Sequence, residues 1–414
     1  MTRKTIAAIA ALCLSGAASA ETLRDAVVAA YSTNPQLAAA QARQEALAES
    51  PEQARGAGRL TAEADGAGGY SRFDYGKGGS GSVTASLPVW TGGRVSSAVR
   101  AASGDVAAGA EGVRDTQAAV LETVVGAYAD LLYAQQAVAV THADIELLDN
   151  QVAEARSRFG LGLATRTDVA QLEAQRESAV STLADAEGSA AAIAATYRAT
   201  VGHSPGTLDP NPTAPVTLPA SIDSARSRAI ESNPIVRQQK LAAGADAARI
   251  DQQRAERNPY VGLGGTYGLA AGEGRSGYAN AAVGGVTLRV PLLTGGLISS
   301  RVRQAEATYR ADRFTIDAAQ RDAARLAETA WANLAAAQAR VNANARRVEA
   351  AELALKGVRA EYAFSLRTTV DILIADESLR AAQLALARSR SDVLIGQAAL
   401  LGSIGQLGRD SYGI

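Results

Sequence analysis

The stretch LPVWTGGRVSS, residues Leu87–Ser97, returns 203 residues later as VPLLTGGLISS, residues Val290–Ser300. Each copy follows a segment of alternating polar and apolar residues and precedes a long segment with helical periodicity. Pro88 and Pro291 are expected to end the hydrogen-bond ladder of a strand, because proline has no amide N–H. The glycine pairs that follow allow a sharp turn, so each copy predicts a joint between a strand and a helix. The residues of the two joints are Pro88, Gly92, Gly93, Pro291, Gly295 and Gly296.

Other segments are also duplicated, which divides the chain into two tandem repeats. Asn34-Pro35 returns as Asn233-Pro234, and the motif T-x-x-D at Thr165 returns 203 residues later at Thr368. Between the halves lies HSPGTLDPNPTAPVTLP, whose five prolines predict an extended surface linker. We therefore expect the following division: a signal peptide at 1–20, a first repeat at 21–202, the linker at 203–219, a second repeat at 220–405 and a short tail at 406–414.

The N-terminus has the features of a secretory signal. Arg3 and Lys4 precede an apolar run, and Ala18-Ser19-Ala20 forms a small-x-small cleavage site. Cys13, the one cysteine, lies inside that run; a lipidated cysteine there is the alternative, although the residues before it fit poorly. With a net charge of -1 and no basic patch, the chain is a poor candidate for binding nucleic acid.

Each half predicts the same order of elements. A short helix begins near Thr22 or Ser221, a second helix is capped by Asn34 or Asn233, and two strands follow. A helix of roughly 65 residues, a break and a helix of roughly 35 residues complete each half. Only 4% of the residues are aromatic, so coiled-coil seams rather than a thick core are expected to bury the apolar surface. One heptad seam consists of Val124, Leu131, Val138, Ile145, Val152 and Phe159, and its counterpart of Ala327, Leu334, Val341, Val348, Leu355 and Tyr362.

The strand segments predict a membrane-facing sheet. Ser82–Leu87 and Val286–Val290 alternate strictly, and Thr61–Tyr70 and Tyr260–Ala270 are the expected partners. One apolar and one polar face suit a wall between lipid and water; a soluble sheet is the alternative. No segment after the signal has 18 uncharged apolar residues, which excludes a transmembrane helix on length. Since open strand edges are not tolerated in lipid, four strands need further copies to close a barrel, and three copies supply 12.

The fold class predicted is accordingly an α+β membrane protein. It combines a long α-helical coiled-coil barrel with four strands per chain in a shared, trimeric 12-stranded β-barrel, built from two tandem repeats.

The T-x-x-D turns predict capping boxes, in which Thr165 and Thr368 cap a helix and Asp168 and Asp371 answer at the third helical position. Thr167 belongs to the first of these turns. A further role follows if three chains converge at this end of the tube. Three copies of Asp371 would then form an acidic ring that attracts cations.

The doubled P-x-x-x-G-G joint, the doubled T-x-x-D turn and the segment ETLRDAVVAAYSTNPQL together resemble the TolC-type outer-membrane channel family over nearly all of the mature chain. The resemblance implies a homotrimer in outer-membrane lipid. It also implies a helical tunnel through the periplasm that meets an inner-membrane transporter through a periplasmic adaptor, or membrane fusion, protein. Such channels serve drug efflux and type I protein secretion.

The resemblance also implies a periplasmic gate formed by Asp168, Tyr362, Arg367 and Asp371, closed by bonds from Asp168 to Tyr362 and Arg367. The chain departs from the family pattern at Ile374, where a second acid is usual, so a weaker ion ring or a partly apolar constriction is expected. Apolar residues near the turns are candidates for adaptor contact, with ordinary packing as the alternative. These residues are Phe159, Leu161, Leu163, Phe364 and Leu366.

The residues predict no catalytic, cofactor or metal site. GKGGSG at Gly76–Gly81 matches a dinucleotide fingerprint formally, but a strand rather than a helix is expected after it, so it is interpreted as a hairpin turn. The function expected is a passive exit duct. Type I secretion is slightly favoured because the tail after Leu401 is short. The alternative is a trimeric coiled-coil stalk or adhesin with a β-anchor, which the placement of strands inside two repeats disfavours.

Overall fold

A computed structural model describes residues 20–71, 76–212, 217–272, 279–364 and 366–413. The predicted signal peptide lies outside these ranges except for Ala20. The first half contains α1 (Leu23–Thr33), α2 (Pro35–Ala48), α3 (Ser50–Gly56), β1 (Thr61–Ser71), β2 (Gly76–Trp90), α4 (Arg94–Gly160) and α5 (Arg166–Val201). The second half contains α6 (Ile222–Ser232), α7 (Pro234–Ala255), β3 (Tyr260–Gly272), β4 (Ala279–Arg289), α8 (Leu297–Ala363) and α9 (Thr369–Ser403), followed by a 3₁₀ turn (Arg409–Tyr412).

The duplicated sequence motifs produce the same local structure in both halves. The side-chain oxygen of Asn34 accepts from the first free N–H groups of α2, and Asn233 does the same for α7. A proline follows each cap at the first helical position, where no N–H is needed. The long helices α4 and α8 each have 67 residues, and at about 1.5 Å per residue each spans about 100 Å.

The two predicted joints are confirmed as strand-to-helix connections. Gly92 and Gly93 have φ of 62° and 91°, and Gly295 and Gly296 have φ of 57° and 81°. These left-handed conformations cost little only for glycine. Helices α4 and α8 begin at the next residue in each case.

The prediction that Pro88 ends its strand was wrong. Strand β2 continues to Trp90, and its register against β3 shifts between Pro88 and Trp90. A bulge accommodates a residue without an N–H because the ladder is already interrupted there. Pro291 behaves as predicted, since it follows the end of β4 at Arg289.

The four strands form one antiparallel sheet in the order β1-β2-β3-β4. Neighbours on one face are polar, as in the pairs Glu63 with Thr84 and Thr84 with Thr266, whose hydroxyl oxygens lie 3.1 Å apart. The other face carries apolar pairs such as Leu263 with Val286, and these side chains are exposed in the single chain. Within the described part of one chain, β1 and β4 are each paired on one side only.

The glycine run Gly76–Gly81 is not a hairpin turn, which corrects the prediction. It is the first part of β2 and pairs with β1 from Ser71 opposite Gly76 to Gly66 opposite Gly81. Backbone hydrogen bonds hold this pairing and need no side chains. The connection between the strands, residues 72–75, lies outside the described ranges.

None of the described helices is both long and apolar enough to cross a membrane.

The main core lies where α1, α4, α5, α8 and α9 meet. Tyr128 and Tyr197 are its largest fully buried side chains. The Tyr128 hydroxyl donates to the backbone carbonyls of Glu21 and Asp209, at 3.0 and 3.3 Å, and the Tyr197 hydroxyl donates to Oε1 of Glu21 at 2.6 Å. These bonds hold the start of the described chain against the linker between the repeats.

The linker prediction needs one correction. Leu208 forms an isolated parallel bridge with Glu21 and is buried, so this part of the linker is anchored in the core rather than lying free on the surface. Burial of an apolar side chain and one backbone bridge stabilise the position without a regular strand. The division into domains proposed from the sequence stays a prediction.

Candidate functional site at the hairpin tips

The ends of the two helical hairpins carry the predicted polar motif, and its capping role is confirmed. At the α4–α5 turn, Oδ2 of Asp168 accepts from the backbone N–H and the hydroxyl of Thr165, both at 2.8 Å. The Thr165 hydroxyl oxygen accepts in return from the Asp168 N–H at 3.2 Å. The α8–α9 turn repeats this box with Thr368 and Asp371 at 2.8, 2.8 and 3.3 Å. Thr167 is an exposed residue of the first turn of α5.

The capping bonds keep both carboxyls charged. The backbone N–H of Thr165, and then its hydroxyl, lower the pKa of Asp168 below the usual 3.8. Thr368 lowers the pKa of Asp371 in the same way, and the nearby charge of Arg367 adds to the effect. Two fixed negative charges therefore lie at the tips at any pH above 4.

Arg367 is held by a partner that the sequence reading missed. Its Nε donates to Oε2 of Glu361 at 2.6 Å across the turn, and this bond, followed by the charges of Glu361 and Asp371, raises the pKa of the guanidinium. Both side chains are about half exposed, so the pair positions Arg367 more than it stabilises the fold. A six-residue separation across a turn follows no helical period, so no sequence pattern points to the pair.

Tyr362 connects the two hairpins. The guanidinium carbon of Arg158, near the end of α4, lies 4.9 Å from the centre of the Tyr362 ring on α8. This is within the distance of a cation–π contact. The contact places the two tips side by side in one chain.

The gate bonds implied by the family resemblance are not present in the described part of one chain. Asp168 bonds to Thr165, Arg367 bonds to Glu361, and Tyr362 faces Arg158. The physical reason is that the capping box is local and holds Oδ2 of Asp168 within its own turn.

An apolar surface surrounds these charges. The predicted contact residues Phe159, Leu161, Leu163, Phe364 and Leu366 are all exposed, Leu161 by 72% and Phe364 by 79%. Ile374 is also exposed, by 62%, one turn beyond Asp371. Exposed large apolar side chains clustered at one end of a molecule are typical of a protein-binding surface.

The described residues contain no group of three or more His, Cys, Asp or Glu side chains arranged to hold a metal ion.

Comparison with known proteins decides the family. The profile of the family described as Outer membrane efflux protein matches the chain twice, over residues 26–203 and 225–406. The chain belongs to this family.

Known relatives agree with the assignment to the outer membrane efflux proteins. The chain is 32% identical to Outer membrane efflux protein BepC of Brucella suis over 98% of its own length and 91% of the relative. It is 25% identical to Outer membrane protein TolC of Escherichia coli over 71% of its own length and 62% of the relative. Among solved structures, the outer membrane protein VceC of Vibrio cholerae superposes with a TM-score of 0.73 over 92% of this chain and 96% of that one, at 24% identity.

The resemblance to TolC-type channels and the two tandem repeats are thereby confirmed, as is the location of the protein in the outer membrane. Its relatives are channel proteins rather than enzymes.

Proposed function

We propose that the chain is the outer-membrane exit duct of a tripartite export system and conducts substrates passively. The proposal rests on an arrangement that occurs twice in one chain. A strand of the two-faced sheet leads into a 67-residue helix, and that helix ends at a capped acidic turn. A helix about 100 Å long is too long for a globular domain, whereas this length suits a tunnel across the periplasm.

The proposed assembly is a homotrimer. The sheet of one chain has two open edges and an exposed apolar face, and open edges are costly in lipid. Three chains would supply twelve strands and close one barrel, with the polar face of Glu63, Thr84 and Thr266 toward the lumen. The helical part would then lie in the periplasm.

The proposed gate lies at the tips. Three copies of Asp371 would line the opening, and Asp168 of one chain would bond to Tyr362 and Arg367 of a neighbour. The side chain of Ile374 would narrow the same opening without a charge, so the entrance would select cations less strongly than a double acidic ring. The exposed apolar residues around the tips would bind a periplasmic adaptor, which links the duct to an inner-membrane transporter.

The gate is tested by Arg367→Ser in planar bilayers. The variant is expected to show a larger single-channel conductance, because it loses the proposed bond to Asp168 of a neighbour and the cation beside Glu361 and Asp371. The matched control is Arg166→Ser in the repeat-related turn, where an exposed cation is removed from the first residue of α5. Equal conductance of Arg367→Ser and the unaltered protein would remove the gate assignment.

The cargo is proposed to be protein exported by a type I system, in preference to drugs. The support is a relative from Pseudomonas aeruginosa named Alkaline protease secretion protein AprF, 25% identical. Multidrug efflux is the second candidate, supported by the efflux protein BepC. A trimeric stalk or adhesin with a β-anchor is the alternative from another class.

One experiment separates these functions. The gene is deleted, and secreted proteins and drug sensitivity are measured together, with the unaltered gene returned as control. Loss of secreted protein supports the first proposal, and drug sensitivity alone supports efflux. The duct assignment fails if neither secreted protein nor drug sensitivity changes on deletion, and if outer membranes of the strain with the returned gene show no trimer band on unheated gels.

A further inference from the structure

Two aspartates from different helices lie buried side by side above the tips. Asp144 on α4 and Asp376 on α9 are 6% and 7% exposed, and their carboxyl groups are within hydrogen-bonding reach of each other. Arg380 of α9 forms an ion pair with Asp144. Nη2 of Arg359 on α8 lies 3.7 Å from Oδ1 of Asp376.

The charges around this pair are few. Asp144 comes from α4, Arg380 from α9 itself and Arg359 from α8, and these are the charged groups that act on Asp376. Helix α5 packs on α4 nearby, but its Glu187 pairs with His142 at 3.8 Å on the surface, where both are 57% exposed. The Arg359 side chain is 41% exposed, whereas that of Arg380, which pairs with Asp144, is 16% exposed.

Two neighbouring buried carboxyls do not both ionise readily, because each charge opposes the other and burial opposes both. The pair therefore holds one proton between its two groups. Burial, and then the bond to and the charge of Asp144, raise the pKa of Asp376 to about 7.

The pair also has a mechanical position. Asp376 lies eight residues into α9 from its cap at Thr368, about 12 Å from the tip turn. Higher up, α4 and α9 are joined by Arg388 with Asp130 at 2.8 Å and by Ser391 with the Ala129 carbonyl at 2.7 Å. Among the bonds of the described residues, the ion pair of Asp144 with Arg380 is thus the polar link between α4 and α9 that lies nearest the tip.

We propose that Asp144 and Asp376 form a proton-operated latch that fastens the first turns of α9 to α4 and releases them when the shared proton is lost. Because Asp371 lies in the first turn of the same helix, release loosens the start of α9 from α4, while the contact of Arg158 with Tyr362 still joins α8 to α4. The effect on conduction rests on the proposed function, whereas docking of α9 can be measured without it.

Docking of α9 weakens with rising pH because the docked pair binds more protons than the undocked one. A free aspartate is ionised above pH 3.8, while the docked pair keeps its proton up to about pH 7. Docking is therefore strongest below pH 4, weakens as pH rises from 4 to 7 and changes little above 7. Each pH unit in this window changes the docking equilibrium by about tenfold.

Amide hydrogen exchange of the purified trimer at pH 5.5 and pH 8.5, corrected for intrinsic exchange rates, tests the latch. The pH-dependent window ends at about pH 7, so a rise from pH 5.5 to pH 8.5 crosses about 1.5 pH units of it. The protection of the peptide covering residues 369–380 is therefore expected to fall about 30-fold at the higher pH. A peptide covering residues 391–400, farther along α9, is expected to keep its protection.

The decisive variant is Asp376→Asn, which imitates the protonated carboxyl and is expected to stay protected at both pH values. The matched control is Asp130→Asn, which breaks an exposed link between the same helices and should leave the pH dependence intact. If Asp376→Asn does not fold, Asp144→Asn serves instead; it removes both the opposing charge and the ion pair with Arg380, so the difference in protection between pH 5.5 and pH 8.5 is expected to disappear.

Protection of residues 369–380 that is the same at both pH values, or pH dependence that survives in Asp376→Asn, overturns the latch. Conductance measured on the same samples separates the two proposals. If exchange follows pH but conductance does not, the latch stands as a docking device and its control of the duct is refuted. If no channel forms while exchange follows pH, the duct fails and the latch stands.

Discussion

The small residues of this chain allow close helix crossings, and the crossing of α4 over α7 offers a quantitative test. A Cβ atom added to Gly104 would lie 2.9 Å from Cβ, 3.1 Å from Cα and 3.3 Å from N of Ala245. Two of these three atoms are backbone, so no change of rotamer relieves the overlap. Gly126 belongs to the same helix, and an added Cβ there meets nothing within 4 Å.

Gly104→Ala and Gly126→Ala should therefore have different effects on the unfolding free energy. Replacing a glycine inside a helix by alanine gains about 1 kcal/mol of helix propensity at either site. Overpacking at Gly104 costs about 1–3 kcal/mol, because the helices have to separate by a few tenths of an ångström. We expect Gly104→Ala to leave the unfolding free energy unchanged or lower it by up to about 2 kcal/mol, and Gly126→Ala to raise it by about 1 kcal/mol.

Denaturant unfolding in detergent, followed by circular dichroism at a fixed trimer concentration, measures both effects. Gly188→Ala on α5, another helical glycine with open space around it, is a second control that is expected to behave like Gly126→Ala. Equal gains in the unfolding midpoint for Gly104→Ala and both controls would refute the argument that backbone contact limits this crossing.

Two further predictions concern the turns. Thr165→Ala removes the cap of α5 and is expected to cost the hairpin about 1 kcal/mol, seen as faster amide exchange in its first turn. Because the pKa of Asp168 is lowered, the capping bond contributes above pH 3.8 and is lost as pH falls below that value; helicity unchanged from pH 6 to pH 2 would contradict this. Gly405→Ala is expected to destabilise the protein by more than about 2 kcal/mol, because at φ of 69° the new Cβ would meet the Ser232 carbonyl, whose carbon is 2.7 Å away. Gly413→Ala has φ of 68° with open space around it, so a thermal melt should show the smaller loss, and equal losses would exclude the backbone clash.

Much of the candidate site was readable from local patterns. The T-x-x-D motif predicts a capping box because both partners lie within one turn, and the box forms at Thr165 and at Thr368. The partners of Arg367 and Tyr362 were not readable, since Glu361 and Arg158 are brought there by a turn and by packing between helices. The role of Pro88 was misread because a bulge depends on the neighbouring strand β3.

The sequence alone determined the duplication, the caps, the glycine joints and the length of the long helices. These features depend on residues within one or two turns of each other, and their conformational preferences hold in any surroundings. Only the tertiary structure decided that Gly104 meets Ala245, that Leu208 is buried beside Glu21, and that Asp144 lies next to Asp376. Those contacts join residues far apart in the chain, and their register depends on how whole helices cross, which no local pattern specifies.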